Sequence, residues 1–207
     1  MSRPYAIGLT GSIGMGKTET ARMFASLGVP VYDADAAVHR LYEAGGAAVP
    51  DIAREFPDCV RDGKVDRACL AARIAAEPSL LQRLETIVHP LVAEEQQRFL
   101  AEAAARGDEM LVLDIPLLFE TGSHARMDAV VVVSAPQEVQ RARVLAREVM
   151  TEEKLDRILS RQMPDAEKRA QAHFVVETGK GFDHAFEQVK EIVAAVRARR
   201  SRDSGRA

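Results

Sequence analysis

Cysteine is nearly absent from this 207-residue chain. Its two residues, Cys59 and Cys69, are too few for a disulfide framework or a four-ligand zinc site, and they read as two reduced structural thiols. No apolar run reaches the ~18 residues that a membrane span needs. The opening MSRPYAIGLTGS has one Arg and no small-residue cleavage site, which argues against a secretory signal. A cytoplasmic location with no membrane partner is therefore expected. The formal charge of −3 argues against a protein that coats nucleic acid. Internal repeats and Pro/Gly/Ser-rich linkers are missing as well. What remains is 47% hydrophobic and 29% charged, the profile of a soluble globular chain large enough for a real core.

Short apolar runs alternate with helical patterns. Tyr5–Thr10, Val29–Tyr32, Met110–Ile115, Ala129–Val133 and His173–Val176 read as buried strands. Thr18–Leu27, Gln137–Arg147, Glu152–Gln162 and Ala185–Arg199 read as helices. Strands separated by helices imply crossovers and a parallel sheet covered on both faces. Residues 36–107 break this rhythm. They show no convincing strand and read as a helical insertion, with the helix over 79–105 interrupted at His89-Pro90. The Arg-rich end, from Arg197 to Ala207, reads as a frayed helix end and a disordered tail.

The segment Gly11-Ser12-Ile13-Gly14-Met15-Gly16-Lys17-Thr18 fits a phosphate-binding loop, and it lies between a predicted strand and a predicted helix. Glycines let such a loop turn its N–H groups onto phosphate oxygens, and the following helix adds its positive end. Lys17 would reach the β and γ phosphates of ATP, and the Thr18 hydroxyl could ligate Mg²⁺. A GTPase switch would need Asn-Lys-x-Asp, which the sequence lacks, and an Asp-x-x-Gly after the third strand, where Asp114-Ile115-Pro116-Leu117 stands instead. A small-molecule kinase is the better reading, and a nucleotide-driven switch stays as the alternative.

The remaining chemistry follows from that reading. Arg143 and Arg147 share a helix face in a pair of helices that could close over a triphosphate as a lid. Arg147 sits at the turn of that pair, whereas Arg141 is expected on a solvated face. Asp33 and Asp35 follow the second strand. A carboxylate there suits a neutral hydroxyl acceptor, which must lose a proton as it attacks, while the other Asp can cap a helix. Asp114 ends the third strand, where a carboxylate can hold Mg²⁺.

Several segments carry a resemblance: Gly8 through Thr18; Asp33-Ala34-Asp35; Asp62-Gly63-Lys64-Val65-Asp66-Arg67; Leu84-Glu85-Thr86-Ile87-Val88-His89-Pro90; and Asp114-Ile115-Pro116-Leu117-Leu118-Phe119-Glu120. Gln140-Arg141, Arg143-Val144, Arg147, Arg157-Ile158 and Gln162 extend it. In this order and spacing the chain resembles the dephospho-CoA kinase family over about residues 5–195. The resemblance implies a three-layer P-loop NTPase fold of class α/β, with a parallel five-stranded sheet, helices on both faces, a helical insertion and a helical lid. It implies a nucleotide-binding core of residues 1–35, 108–140 and 171–200, a helical CoA-substrate domain of residues 36–107 and a lid of residues 141–170, with a disordered basic tail over 201–207.

The same resemblance implies transfer of the ATP γ-phosphate to the 3′-hydroxyl of dephospho-CoA with Mg²⁺, by a monomer or weak homo-oligomer. By position, Asp35, Lys17 and Arg147 become catalytic. Gly11, Ser12, Ile13, Gly14, Met15, Gly16, Lys17, Thr18 and Glu19 become nucleotide-binding. Asp35, His89, Leu117 and Phe119 become substrate-binding, and Thr18 and Asp114 become metal ligands. Met15, Glu19, Glu148-Val149 after Arg147, and His173–Thr178 depart from the usual pattern. A related kinase for another small hydroxyl compound, such as a nucleoside or a shikimate-like acid, is the second reading.

Overall fold

The computed structural model describes residues 3–204. Two compact units divide the chain, one of residues 1–32 and 103–207 and one of residues 33–102.

The first unit is built on the apolar runs. Strands β1 (Tyr5–Thr10), β2 (Val31–Asp33), β5 (Met110–Asp114), β6 (Ala129–Ser134) and β7 (Phe174–Glu177) form a five-stranded sheet in the order β2-β5-β1-β6-β7. The pairs β1·β5, β1·β6 and β6·β7 are parallel, with Leu9 opposite both Asp114 and Val131. Every residue of β5 and β6 is buried, as expected of central strands with helices on both faces. Helices α1 (Lys17–Ser26) and α9 (Phe182–Ser204) bury Phe24, Val189 and Val193 in one core cluster with Ile7, Val112 and Val131. Helices α6 (Gln137–Leu145), α7 (Glu152–Leu159) and α8 (Asp165–Gln171) fill the chain between β6 and β7. The segment expected as a separate lid, 141–170, belongs to this unit.

The basic end differs from expectation. Helix α9 continues to Ser204, so residues expected in a disordered tail from 201 are helical that far, and the rest of the tail lies outside the described residues. Arginines there have work to do. Arg197 pairs with Glu109 at 3.4 Å, and Arg200 donates to the Arg3 carbonyl at 2.8 Å. These contacts fasten the helix beside the start of β1.

The second unit holds helices α2 (Ala34–Tyr42), α3 (Val49–Glu55), α4 (Arg67–Ala76) and most of α5 (Leu80–Arg106) around a core that includes Leu41, Ile52, Phe56 and Leu70. It departs from the sequence reading in three ways. A two-stranded hairpin, β3 (Val60–Arg61) and β4 (Lys64–Val65), turns at Asp62 and Gly63, both at positive φ. Two consecutive residues with positive φ are what an Asp-Gly hairpin turn supplies. Helix α5 runs through Pro90 without ending; one missing N–H costs a single ladder bond in a 27-residue helix. Finally, Cys59 and Cys69 are joined as a disulfide with Cα atoms 5.3 Å apart, not two free thiols. The hairpin folds the chain back on itself, and Asp66 caps α4 by accepting from Cys69 N–H, which brings the two sulfurs together.

Candidate active site

The loop from Gly11 to Gly16 leaves β1 and enters α1. Two of its glycines are required by geometry. Gly14 has φ +77, and a side chain there would meet Val144 of α6 at 2.5 Å; Gly16 has φ +95 beside the Thr178 hydroxyl. L-residues rarely adopt such φ values. Met15, one of the departures from the family pattern, buries its side chain in the core, with its sulfur 3.1 Å from Ala135 N. The Met15 side chain is thus packed against β6 and its neighbours, and the glycines on either side leave the loop backbone open.

Lys17 and Asp114 meet directly. Lys17 Nζ lies 2.5 Å from Asp114 Oδ1, with side-chain exposures of 17% and 5%. The end of β5 thus places a carboxylate against the ammonium of the phosphate loop. Ile115 N–H donates to Leu9 O, and the Thr10 hydroxyl donates to Pro116 O, so the chain after Asp114 is pinned to β1. Leu117 beyond it is exposed. Phe119, expected to contact substrate, is buried, with its ring 5.1 Å from that of His124.

Helices on the far side hold the loop. The Ile13 carbonyl accepts from Gln140 Nε2 at 2.7 Å, and Ile13 N–H donates to Gln162 Oε1 at 3.1 Å. Thr178, another departure, donates its hydroxyl to Met15 O at 2.7 Å. Arg143 donates to both the hydroxyl and the carbonyl of Thr178. A cavity of about 410 Å³ lies between the loop and these helices, lined by Ser12, Met15, Gln140, Gln162, Met163 and Asp165 among others.

The other expected site residues lie on α1, just after α6 and in the second unit. Thr18 and Glu19 are exposed on the first turn of α1, where Glu19 pairs with Arg22. Arg147 is exposed just after α6. Arg141, expected on a solvated face, pairs at the surface with Glu152 and with Asp156 at 3.1 Å, tying α6 to α7. In the second unit, Asp33 is the cap of α2, accepting from Ala36 N–H at 2.9 Å, while Asp35 is exposed in the first turn. His89 is exposed on α5. Sequence reasoning missed the ion pair of Glu120 with Lys168 at 2.9 Å. Glu120 closes a recognisable motif, but nothing local marks Lys168 as its partner.

A parallel sheet, a phosphate loop with its lysine on a strand-end carboxylate, and a helical segment gripping that loop define a kinase of the P-loop class. The chain belongs to the dephospho-CoA kinase family, whose model matches residues 5–183. It is 56% identical to a dephospho-CoA kinase of Rhodopseudomonas palustris over 189 residues, 91% of this chain and 94% of that one. Among solved structures, a Thermus thermophilus protein superposes with a TM-score of 0.80 at 36% identity, covering 94% of this chain and 98% of that one. A dephospho-CoA kinase from Campylobacter jejuni shares the fold, with a TM-score of 0.67 at 18% identity over 94% of this chain and 98% of its own.

Proposed function

We propose that this chain transfers the γ-phosphate of ATP to the 3′-hydroxyl of dephospho-CoA, yielding coenzyme A and ADP in the cytoplasm. Membership in the family supports the substrate. The observation that carries the chemistry is the Lys17–Asp114 contact at the mouth of the phosphate loop. Lys17 leaves Asp114 for the β and γ phosphates, where its charge gains most as the bond to the β-phosphate oxygen breaks. Asp35, freed from the capping duty that Asp33 performs, accepts the proton from the 3′-oxygen as that oxygen forms its bond to phosphorus. Arg147, exposed at the turn of the lid, meets the phosphates on closure. His89, Leu117 and Phe119 are the acceptor-binding residues in this reading, beside Asp35.

Asp114 and Thr18 offer hard oxygen donors, which suit Mg²⁺. No group of three His, Cys, Asp or Glu side chains gathers into a cage among the described residues. An Mg²⁺ ion at this site would be held mainly by nucleotide phosphates with one or two protein oxygens. Bound there, Mg²⁺ would neutralise charge on the phosphates.

An ADP-release assay with ATP and a panel of acceptors tests the reading. Turnover that depends on dephospho-CoA supports it. Equal turnover with a nucleoside or with shikimate, or ADP release without any acceptor, would refute it.

A further inference from the structure

Lys168 is the one lysine with a fully buried side chain among the described residues, and it lies on α8, outside every motif of the site. Its Nζ is 2.9 Å from Glu120 Oε1, in a contact too poorly directed to give the ammonium a well-formed hydrogen bond. The same Glu120 oxygen accepts from Met163 N–H at 2.8 Å. The preceding residue, Gln162, is the one that accepts from Ile13 N–H of the phosphate loop.

A buried ammonium left without a counter-charge is costly, so Glu120 and Lys168 hold each other in place. Glu120 sits at the end of the segment pinned to β1 through Ile115 and Thr10. It is thus a fixed post on the sheet. The backbone of Met163 hangs from that post, and the Gln162 amide is aimed from that backbone at Ile13. Gln140 grips the other end of the Ile13 residue from α6. A stability role alone would need the ion pair but not the bond from Met163.

We infer that Glu120 is a positioning residue for phosphate transfer: anchored by Lys168, it fixes Met163 so that Gln162 sets the backbone of the phosphate loop at Ile13. The inference rests on the nucleotide site proposed above. It adds to that site a mechanical link between the lid segment and the loop.

Because Glu120 acts through Gln162, the test is a cycle of variants. Glu120→Ala and Gln162→Ala should each lower kcat/KM for ATP about tenfold, the size of one lost charge-assisted hydrogen bond. Alanine at 120 leaves Met163 N–H without its acceptor, which Gln would still supply. The combined variant should be no worse than either alone, because both break the same link. Thermal unfolding should separate the two, with only Glu120→Ala losing stability. If Glu120→Ala does not fold, the Glu120→Ala/Lys168→Met pair, which removes both charges, takes its place in the cycle. Losses that multiply to about a hundredfold, or normal kinetics in Glu120→Ala despite a lower Tm, would overturn the inference. Wild-type turnover with dephospho-CoA and its loss in Lys17→Ala report separately on the underlying site.

Discussion

Lys17 of the phosphate loop is held by Asp114 at the end of β5, Nζ to Oδ1 at 2.5 Å. The contact explains how a nearly buried carboxylate and a loop lysine coexist before ATP arrives. In the proposed mechanism, arriving phosphates take the ammonium from Asp114. Lys17→Ala should therefore lose more than nine-tenths of turnover, a loss of at least ~1.4 kcal/mol in transition-state stabilisation. Steady-state kinetics at saturating ATP and dephospho-CoA decides this; a variant that retains most of its activity would remove Lys17 from the mechanism.

Arg147 and Arg141 should behave differently. Arg147 is exposed at the turn after α6, where the proposed lid bends, so Arg147→Ala should lower kcat by roughly tenfold or more while ATP affinity changes little. Arg141 links α6 to α7 through Glu152 and Asp156, so Arg141→Ala should loosen that helix pair and lower Tm with a smaller change in kcat. Kinetics together with thermal unfolding of both variants separates the roles. Identical profiles would contradict the assignment.

The Cys59–Cys69 disulfide closes a loop with a sequence separation of 10. A loop of that size predicts ~2–3 kcal/mol of stabilisation, acting on the unit that contains it. Dithiothreitol should lower the unfolding temperature of the protein. An unchanged Tm, or two free thiols titrated in the unfolded and unreduced protein, would contradict the pairing.

Acid should weaken the Glu120–Lys168 link. Burial alone would raise the Glu120 pKa, but the Lys168 ammonium and the Met163 N–H outweigh it and hold the carboxyl below its usual range. A depressed carboxylate stabilises the folded state above the ordinary value of about 4.3, and that contribution disappears as pH falls through the lower folded value. The Tm difference between wild type and Glu120→Gln/Lys168→Met should shrink below about pH 4. A difference that stays constant with pH would mean the charge contributes nothing.

Much of the first unit was legible in the sequence for a simple reason. Strands such as Met110–Asp114 and Ala129–Ser134 are buried on both faces and read as unbroken apolar runs. The phosphate loop was legible because its glycines and Lys17 have fixed spacing. Tertiary features were not. Lys168 looks like a surface residue in Asp165–Gln171, and only the fold brings Glu120 to it. Asp62-Gly63 carried a hairpin signal, but strands of two residues are too short to show alternation. Without that hairpin, Cys59 and Cys69 read as two separate thiols. Pro90 signalled a break that the rest of a long helix overrides.

The most direct measurement compares Asp35→Asn with Asp33→Asn at saturating ATP and dephospho-CoA. Asp33 caps α2 through Ala36 N–H, a duty that Asn performs nearly as well, so Asp33→Asn should keep near-normal turnover. Asn at position 35 keeps the size of the side chain but cannot take the proton from the 3′-hydroxyl at neutral pH. Asp35→Asn should therefore lose ~10²–10⁴-fold in transfer while its ATP affinity stays close to that of wild type. Near-normal transfer by Asp35→Asn, or a dead Asp33→Asn beside an active Asp35→Asn, would contradict the assignment of Asp35 as the base.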